Sequence, residues 1–368
     1  MNKDFQYVNW LNEEEKTPLK TSNSIIWKDI ITGTTYYLDR NKALEISAKG
    51  IDYINSMGST NEIYEYMAGK KVVEDEELLA FPQLPYIKED REVPAYRISD
   101  HVIIRTGILY SIFGENDSIR RFGLTENINI FCNKDIVSGE IDSDVKEVIE
   151  LIDKVLIGEE VDKGKSKKIK FDLVKGGTVK VQQYLLENNK IKDIRGASRI
   201  LDDINRKIIP EYIKRNYIEE CIVYVGGGNI LGIFPEGEGE KISKIIEEIH
   251  EIESITAQSC ASFRTCTLYD LSSNNYKNTM SDLELKITDR QMSKFDSRRN
   301  IKLRDEKIKG YKNLDGEDIC EHCNIRHAFY ESYSEGKLCS SCMKKVLKGG
   351  EESKANFKAQ YQEFVISN

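Results

Sequence analysis

Four cysteines near the end of the sequence form two pairs with the spacing of metal ligands. Two residues separate Cys320 from Cys323 and Cys339 from Cys342, and fifteen residues lie between the pairs. Two thiolate pairs brought together make a tetrahedral sulfur site, for which Zn²⁺ is the usual metal. Four sulfurs leave no position for a catalytic water. We therefore predict a structural zinc site that stabilises a small module with little core of its own.

Two histidines lie beside these cysteines, and we interpret His322 and His327 as neighbours of the metal rather than ligands. The other four cysteines are scattered, which is typical of small buried apolar residues. They are Cys132, Cys221, Cys260 and Cys266.

A second candidate for chemistry is the segment Asp193–Ser198, which precedes a predicted helix. Gly196 permits a close approach or a positive φ. Ser198 and the free N–H groups of the next turn would hold an anion, and Arg195 would add a bidentate phosphate contact. The alternative is a helix start whose small residues allow it to pack on a sheet. The residues alone do not decide between these interpretations.

The third candidate is a glycine turn between two short apolar runs in residues 222–235, a pattern that predicts a β-hairpin. Its backbone N–H groups are exposed and side chains are scarce, so a nucleotide could lie against it. The alternative is a tight turn with no ligand. Asp172, on the preceding strand, is a poor metal site alone, because two-metal chemistry needs several carboxylates. The turn consists of Gly226, Gly227, Gly228 and Asn229.

The elements that would position these residues indicate an α+β protein. Residues 168–275 are predicted to follow the order β-α-β-β-α-β, the ferredoxin-like arrangement of palm domains. An isoleucine stripe marks the predicted helix over Lys241–Ile252. His250 lies beside this stripe, and we interpret it as solvent-facing. The predicted elements are a strand over Ile169–Val174, helices over Val179–Asn188 and Ala197–Lys207, the hairpin, a helix over Lys241–Ile252 and a strand over Ser254–Leu268.

Residues 1–160 are predicted to form a mostly helical domain. The predicted helices cover Lys42–Ile54, Val102–Phe113 after a cap at Ser99 or Asp100, and Asp144–Ile157, with a loop at Phe81–Pro85.

Two charged segments connect the predicted domains. We interpret Glu159–Lys170 as an exposed linker, because its lysines lack P-loop spacing for a phosphate site. Lys294–Lys312 carries eight Lys/Arg against three Asp/Glu. It is either a solvated connector or a contact for an RNA backbone or a partner protein. Residues 280–350 thus combine a basic connector with a small zinc module of ribbon or treble type. Residues 351–368 are predicted to be a polar tail.

Composition limits the classes of function. The chain has 368 residues and a net charge of -8, so bulk charge gives no indication of general nucleic-acid binding. At roughly 100–200 residues per domain, two to three domains are expected. The sequence has neither a signal-like apolar core at its start nor an apolar run of the ~20 residues that a membrane span needs. A cytoplasmic protein without membrane partners or disulfides is predicted.

Asn188–Asn205, followed by the hairpin at Tyr224–Pro235, resembles the first palm domain of the large, polymerase/cyclase-like subunit of type III CRISPR effector complexes. The paired cysteines are similar to the zinc module of that family. Pro94–His101, ahead of an apolar helix, is weakly similar to its N-terminal HD-type domain. The resemblance is specific over residues 170–240, fair over 315–345 and weak before 160.

In that family, two palms face each other. The second carries a Gly-Gly-Asp-Asp hairpin and makes cyclic oligoadenylate from ATP when target RNA is bound, whereas the first has a glycine hairpin without the acidic pair and helps to hold ATP. This sequence matches the first palm and contains no Gly-Gly-Asp-Asp. The resemblance therefore implies a non-catalytic palm that binds ATP with Mg²⁺ through the hairpin and through Arg195, Gly196 and Ser198.

The resemblance to HD nucleases does not extend to their chemistry. Such an enzyme needs several histidines and aspartates to hold metal, and residues 1–160 contain one histidine, His101. We interpret this domain as a degenerate HD-like domain without nuclease activity.

The leading hypothesis is a subunit whose partners are a protein carrying the catalytic palm, other type III effector subunits, and guide or target RNA within the complex. One alternative is a stand-alone sensor that binds a nucleotide or cyclic oligonucleotide without turnover. Another is an active cyclase with the unusual ligands Asp172, Asp202 and Asp203. A last alternative is a truncated relative that retains only the fold.

Overall fold

The computed structural model describes residues 24–29, 31, 35–85, 96–124, 141–293, 308 and 310–351. Most of the predicted basic connector (294–307), the predicted tail beyond residue 351, Cys132, and Pro94 and Ala95 of the HD-like motif lie outside the described residues. In the part of the chain that is described, no helix is long and apolar enough to cross a membrane.

The described residues of the N-terminal part are mainly helical and also form a two-stranded antiparallel sheet. Asp39 caps the first helix by accepting the N–H of Lys42. The predicted cap at Ser99 or Asp100 is wrong, because that helix already begins at Ile98. The elements are β1 Ser24–Lys28, β2 Thr35–Asp39, α1 Arg40–Ser56, α2 Thr60–Met67, α3 Glu76–Ala80, a 3₁₀ turn Phe81–Gln83, α4 Ile98–Phe113, α5 Ile119–Gly123 and α6 Ser143–Leu156.

A four-stranded antiparallel sheet follows the N-terminal part, with strand order β4-β5-β3-β6. The predicted linker contributes a short helix, α7, from which several lysines are exposed. The elements are α7 Lys163–Ser166, β3 Lys170–Val179, α8 Val181–Leu185, α9 Ile191–Asp203, a π-helical turn Ile204–Ile208, α10 Ile209–Asn216, β4 Ile222–Gly226, β5 Asn229–Phe234, α11 Gly239–Ser254, β6 Gln258–Thr267 and α12 Ser273–Ser293.

Alternation of side chains along the strands buries both faces of this sheet. Val174 and Ile230 point to a core shared with α9 and α11. Phe171 and Leu173 point to the opposite core, which α4, α6 and α12 share. The sheet is thus the middle layer between the N-terminal helices and its own helices.

Two predictions about the helices on this sheet are wrong. His250 is fully buried, and its Nδ1 lies 2.8 Å from the carbonyl oxygen of Ile246. The reason is that His250 continues the i, i+4 row of Ile242 and Ile246, which faces the core. Helix α9 begins at Ile191 rather than at Ala197. The segment that contains Arg195, Gly196 and Ser198 is therefore helical instead of preceding a helix.

The four-cysteine module has three short strands and one helix. Its core consists largely of the cysteines, with Tyr330, Leu338, Met343 and Val346. The elements are β7 Lys312–Asn313, β8 Tyr330–Ser332, β9 Gly336–Leu338 and α13 over 340–351.

Candidate functional site

The four cysteines converge as the sequence predicts. Their sulfurs all lie within 4.8 Å of one another, and all four residues are buried. The Sγ atoms of Cys323 and Cys339 are 3.9 Å apart. Zn–S bonds of about 2.3 Å in a tetrahedron require sulfurs about 3.8 Å apart. The donor set and its spacing therefore fit Zn²⁺ with a closed coordination sphere.

Local structure presents each pair of sulfurs. In the first pair, Asn324 adopts a left-handed conformation with φ of 53°, and its N–H bonds the carbonyl of Cys320 at 2.9 Å. The second pair spans the start of α13, where the N–H of Cys342 points to the Sγ of Cys339 at 3.5 Å. Turns of this kind direct N–H groups toward sulfur, which stabilises the charge of thiolate ligands.

Side chains from outside the pairs also contact the sulfurs. Asn188, in the loop before α9, donates its amide to the Sγ of Cys342 at 3.1 Å. Arg326 places Nη1 3.8 Å from the Sγ of Cys323. Such outer contacts orient the ligands and offset their negative charge. Asn188 therefore joins the four-cysteine cluster to the sheet domain.

His322 lies beside the cysteine pairs in sequence but is not one of the four grouped potential ligands. Its Nδ1 lies 2.6 Å from Oδ2 of Asp193. Its Nε2 lies 2.7 Å from Nζ of Lys190 and 3.1 Å from the carbonyl oxygen of Glu335. The ring thus connects the module to the start of α9, and both of its nitrogens face groups other than sulfur.

A buried lysine that the sequence interpretation missed fixes the module to the sheet domain. Nζ of Lys345 donates to the carbonyl of Tyr184 at 3.0 Å, to Oε2 of Glu187 at 2.9 Å and to Oδ1 of Asn188 at 3.0 Å. It also lies 4.1 Å from the centroid of the Tyr184 ring. A buried ammonium is costly unless it is paired and hydrogen-bonded, and here every donor is used.

Helices α9 and α13 touch through their backbones. A Cβ added at Gly196 would lie 1.8 Å from the carbonyl oxygen of Lys345, and one at Gly349 would lie 2.0 Å from that of Lys192. Gly196 therefore serves close packing, as the alternative interpretation held, although its partner is the cysteine module rather than a sheet. Arg195 and Ser198 lie on the exposed side of α9. The predicted anion site assumed that a helix starts at this segment and leaves the N–H groups of its first turn free. That assumption is wrong, because α9 already begins at Ile191.

The predicted hairpin is present and closes with a two-residue turn. Gly227 and Gly228 have φ of 58° and 83°, the positive pair that a type I′ turn requires. The tip is held against β3, because the N–H of Thr178 bonds the carbonyl of Gly228 at 2.8 Å. A Cβ on Gly177 would lie 1.8 Å from that same oxygen, so a glycine in β3 allows the approach.

The hairpin tip exposes backbone and carries no carboxylate. Gly227 and Asn229 are exposed, and a Cβ added at Gly227 would meet nothing within 4 Å. Its surface offers amide groups and space, which suits a flat ligand better than a metal ion.

Asp172 does not belong to the hairpin site. It pairs with Phe234, whereas Gly177 pairs with Asn229 at the tip, a separation of about 16 Å at ~3.3 Å per residue. Its Oδ2 accepts the N–H groups of Gly237 and Gly239, each at 2.8 Å. Asp172 is fully buried and fixes the start of α11. Its proposed use as a metal ligand is therefore wrong.

The other two carboxylates of the active-cyclase alternative are paired on α9. Asp202 lies 2.6 Å from Nε of Arg206, and Asp203 lies 3.1 Å from Nζ of Lys207 and 3.3 Å from Nζ of Lys348. In the described residues, the four cysteines form the only group of three or more potential metal ligands.

In the Asp100–His101 pair of the HD-like motif, which lies in α4, His101 is buried and Asp100 is partly buried. Burial, together with the nearby Arg105 guanidinium, lowers the pKa of His101 to about 3. Burial raises the pKa of Asp100 to about 7, although Arg97 opposes the shift. The ring of His101 packs edge-on against Tyr96, with centroids 5.8 Å apart. This environment suits a neutral packing residue.

Comparisons with known proteins gave matches at the level of structure. A scan of protein-family models gave no match, and neither did a search of curated proteins. The apo Csm1–Csm4 cassette is 16% identical, with 58% of this chain and 32% of that chain covered and a TM-score of 0.33. The cassette in complex with cA3 is 12% identical, with coverages of 68% and 48% and a TM-score of 0.34.

A third similar structure is the Csm1–Csm4 cassette in complex with pppApApA. It is 13% identical, with 81% of this chain and 53% of that chain covered and a TM-score of 0.35. This chain therefore spans between about a third and about half of the length of these structures' chains. Similarity of this degree is partial.

Proposed function

We propose that this chain is a non-catalytic palm subunit of a type III CRISPR-like effector. Its hairpin would form one wall of an ATP site, and a palm with a Gly-Gly-Asp-Asp hairpin on another chain would form the other. The observation that carries this proposal is the hairpin itself, a type I′ tip at Gly227 and Gly228 with exposed backbone and no carboxylate.

The sheet supports the assignment of a palm. β3 lies between β5 and β6, and β4 forms the edge beyond β5. The chain order strand, helices, strand, strand, helix, strand matches the ferredoxin-like arrangement. In this arrangement the hairpin joins the second and third strands, which is the place expected for the hairpin of a palm.

The carboxylates support a division of labour between two chains. Transfer of a nucleotidyl group from ATP requires metal ions that neutralise the phosphates, and several carboxylates hold those ions. Asp172 caps a helix, and Asp202 and Asp203 pair with cations. Metal ligands would therefore come from the partner, while this chain supplies a surface against which ATP lies with Mg²⁺.

The four cysteines would hold Zn²⁺ without a chemical role in nucleotidyl transfer. Phosphate contacts from Arg195 and Ser198, and contacts with other effector subunits and with guide or target RNA, stay predictions from the resemblance. The hairpin alone carries the present proposal.

A change at the turn tests the proposal without disturbing the hairpin. Asn-Gly is a preferred type I′ pair, so Gly227→Asn keeps the turn while it places a side chain over the tip. We expect at least about tenfold weaker binding of ATP with Mg²⁺, which corresponds to about 1.4 kcal/mol. Isothermal titration of the complex purified with its natural partner measures this effect.

Gly237→Asn is the matched control. Gly237 also has a positive φ, 96°, and open space around it, but it lies beside Asp172, at the opposite end of the sheet. Equal ATP affinity for wild type and Gly227→Asn would contradict the proposal. Tight binding of ATP or a cyclic oligoadenylate by the isolated chain would favour the stand-alone sensor instead.

A further inference from the structure

We propose that the cysteine module positions the nucleotide-facing hairpin, so that metal occupancy and ligand binding at the hairpin are coupled. Lys345 is the positioning residue, and the short helix α8 transmits the contact. This inference rests on the proposed function, because it assigns regulation to the same hairpin. The contacts run in three steps, from the sulfurs to Lys345, from Lys345 to α8, and from α8 to the tip.

The first step runs along α13 and through Asn188. Cys342 and Lys345 are three residues apart on α13 and thus lie on one side of that helix. Asn188 donates its amide N–H to the Sγ of Cys342 and accepts from Nζ of Lys345. One side chain therefore contacts both a metal ligand and the buried ammonium. A shift of Cys342 on metal loss would disturb the position of Lys345.

The second step joins Lys345 to α8. Its ammonium bonds the carbonyl of Tyr184 and lies over the ring of the same residue. Glu187 completes the contact, since it accepts from Lys345 at 2.9 Å and also pairs with Arg326 of the cysteine module. Tyr184 is only 4% exposed and packs into the core below the sheet. Helix α8 is therefore held both by this core and by the module.

The third step joins α8 to the hairpin. A Cβ at Gly228 would lie 3.7 Å from Cγ2 of Val181, the first residue of α8, so the helix start lies next to the turn. Between β3 and α8 lies Lys180, whose φ of 52° is left-handed. A residue without glycine's freedom occupies this region only when its surroundings hold it there. The module supplies such a constraint from the far end of α8.

Coupling of this kind is reciprocal. If metal occupancy strengthens nucleotide binding by some factor, nucleotide binding must strengthen metal binding by the same factor. The hairpin would then be ordered fully only when the module is intact.

Hydrogen exchange of the zinc-loaded full chain tests the coupling directly. We expect Lys345→Met to keep zinc at about one ion per chain, as four thiolates require, and to raise amide exchange in the hairpin, 226–230, at least about tenfold. Lys345→Arg restores a cation and should recover part of the protection. Lys348→Met is the matched control, because Lys348 lies on the same helix but pairs with Asp203 and Glu351.

Metal removal gives a second test, which uses wild-type protein and so does not require that a variant folds. Wild type stripped of zinc by a chelator should show faster exchange at the hairpin than zinc-loaded protein, and readdition of zinc should reverse the change. Unchanged hairpin exchange, in stripped protein or in folded, zinc-loaded Lys345→Met, would overturn the coupling. ATP binding by the complex with the natural partner separates the two ideas: hairpin exchange that responds to zinc, in a complex that binds no ATP, would refute only the nucleotide site.

Discussion

Glu220 is the buried acid that ties the N-terminal part to the sheet. Its Oε1 accepts from the hydroxyl of Tyr64 at 3.1 Å, from Nζ of Lys70 at 2.8 Å and from Nε of Arg120 at 3.1 Å. Burial would raise the pKa of Glu220, but the charges of Lys70 and Arg120 prevail and lower it to about 2. The folded protein therefore binds this proton more weakly than the unfolded chain does.

This shift predicts a pH-dependent contribution to stability. Because the pKa of Glu220 is lower in the folded state, its contribution is complete above the unfolded value of ~4.3 and disappears as pH falls toward 2. We expect Glu220→Gln to lower the free energy of unfolding by up to about 3 kcal/mol at pH 7. Urea unfolding at pH 7 and at pH 3 should show a smaller difference from wild type in acid.

Glu219→Gln is the control for this prediction. Glu219 is adjacent in sequence but partly exposed, and its Oε2 lies 3.7 Å from Nζ of Lys70. Surface pairs of this kind contribute about 0–1 kcal/mol. A Glu220→Gln effect of the same size at both pH values would show that the carboxylate charge is not the source of the stability.

At the residue scale, sequence analysis identified groups whose spacing is local. The grouping of the four cysteines and the glycine turn of the hairpin were predicted correctly, because ligand spacing and turn chemistry depend on neighbours in sequence. The capping role of Asp172 was not predicted, because its partners, Gly237 and Gly239, are about 65 residues away. Lys345 was missed for the same reason: a lysine in a basic helix gives no indication that Glu187 and Tyr184 surround it.

Among the elements, the contact between α9 and α13 is the least tolerant of change. Because the carbonyl of Lys345 occupies the space beside Gly196, Gly196→Ala forces the two helices apart. We expect a loss of about 1–3 kcal/mol in the free energy of unfolding, the usual cost of overpacking. Thermal unfolding of the zinc-loaded chain measures it.

Ser198→Ala tests the same helix on its exposed side. We expect a change within about 0.5 kcal/mol, since surface substitutions away from special contacts have small effects. If Gly196→Ala were as stable as Ser198→Ala, the close approach of the two helices would be refuted.

The start of α9 shows why this element was misplaced from sequence. Lys190 precedes the helix and gives no side-chain cap, so the usual signal for a helix start is missing. Gly196, in the second turn of α9, further lowers the helix propensity of this segment. Contacts with the cysteine module, including the Asp193–His322 pair at 2.6 Å, hold these turns in a helix, and those contacts lie far away in sequence.

Over the whole molecule, the four-stranded sheet carries helices on both faces and the cysteine module beside α8 and α9. Periodicity predicted most of the elements in residues 168–275, because its helices carry an apolar stripe and its strands are short apolar runs. It did not predict how the module docks, since the docking surface consists of buried charges and glycines rather than an apolar stripe. Through this docking surface, the module would help to position the hairpin of the proposed nucleotide site.

Under the proposed function, this chain would support oligoadenylate synthesis without supplying the metal ligands. The most direct measurement is product formation from ATP and Mg²⁺ by the complex purified from its own cells, compared with this chain alone. We predict cyclic oligoadenylate from the complex, dependent on a partner with paired carboxylates, and no product from the isolated chain. Product from the isolated chain, or an active complex without such a partner, would contradict the account.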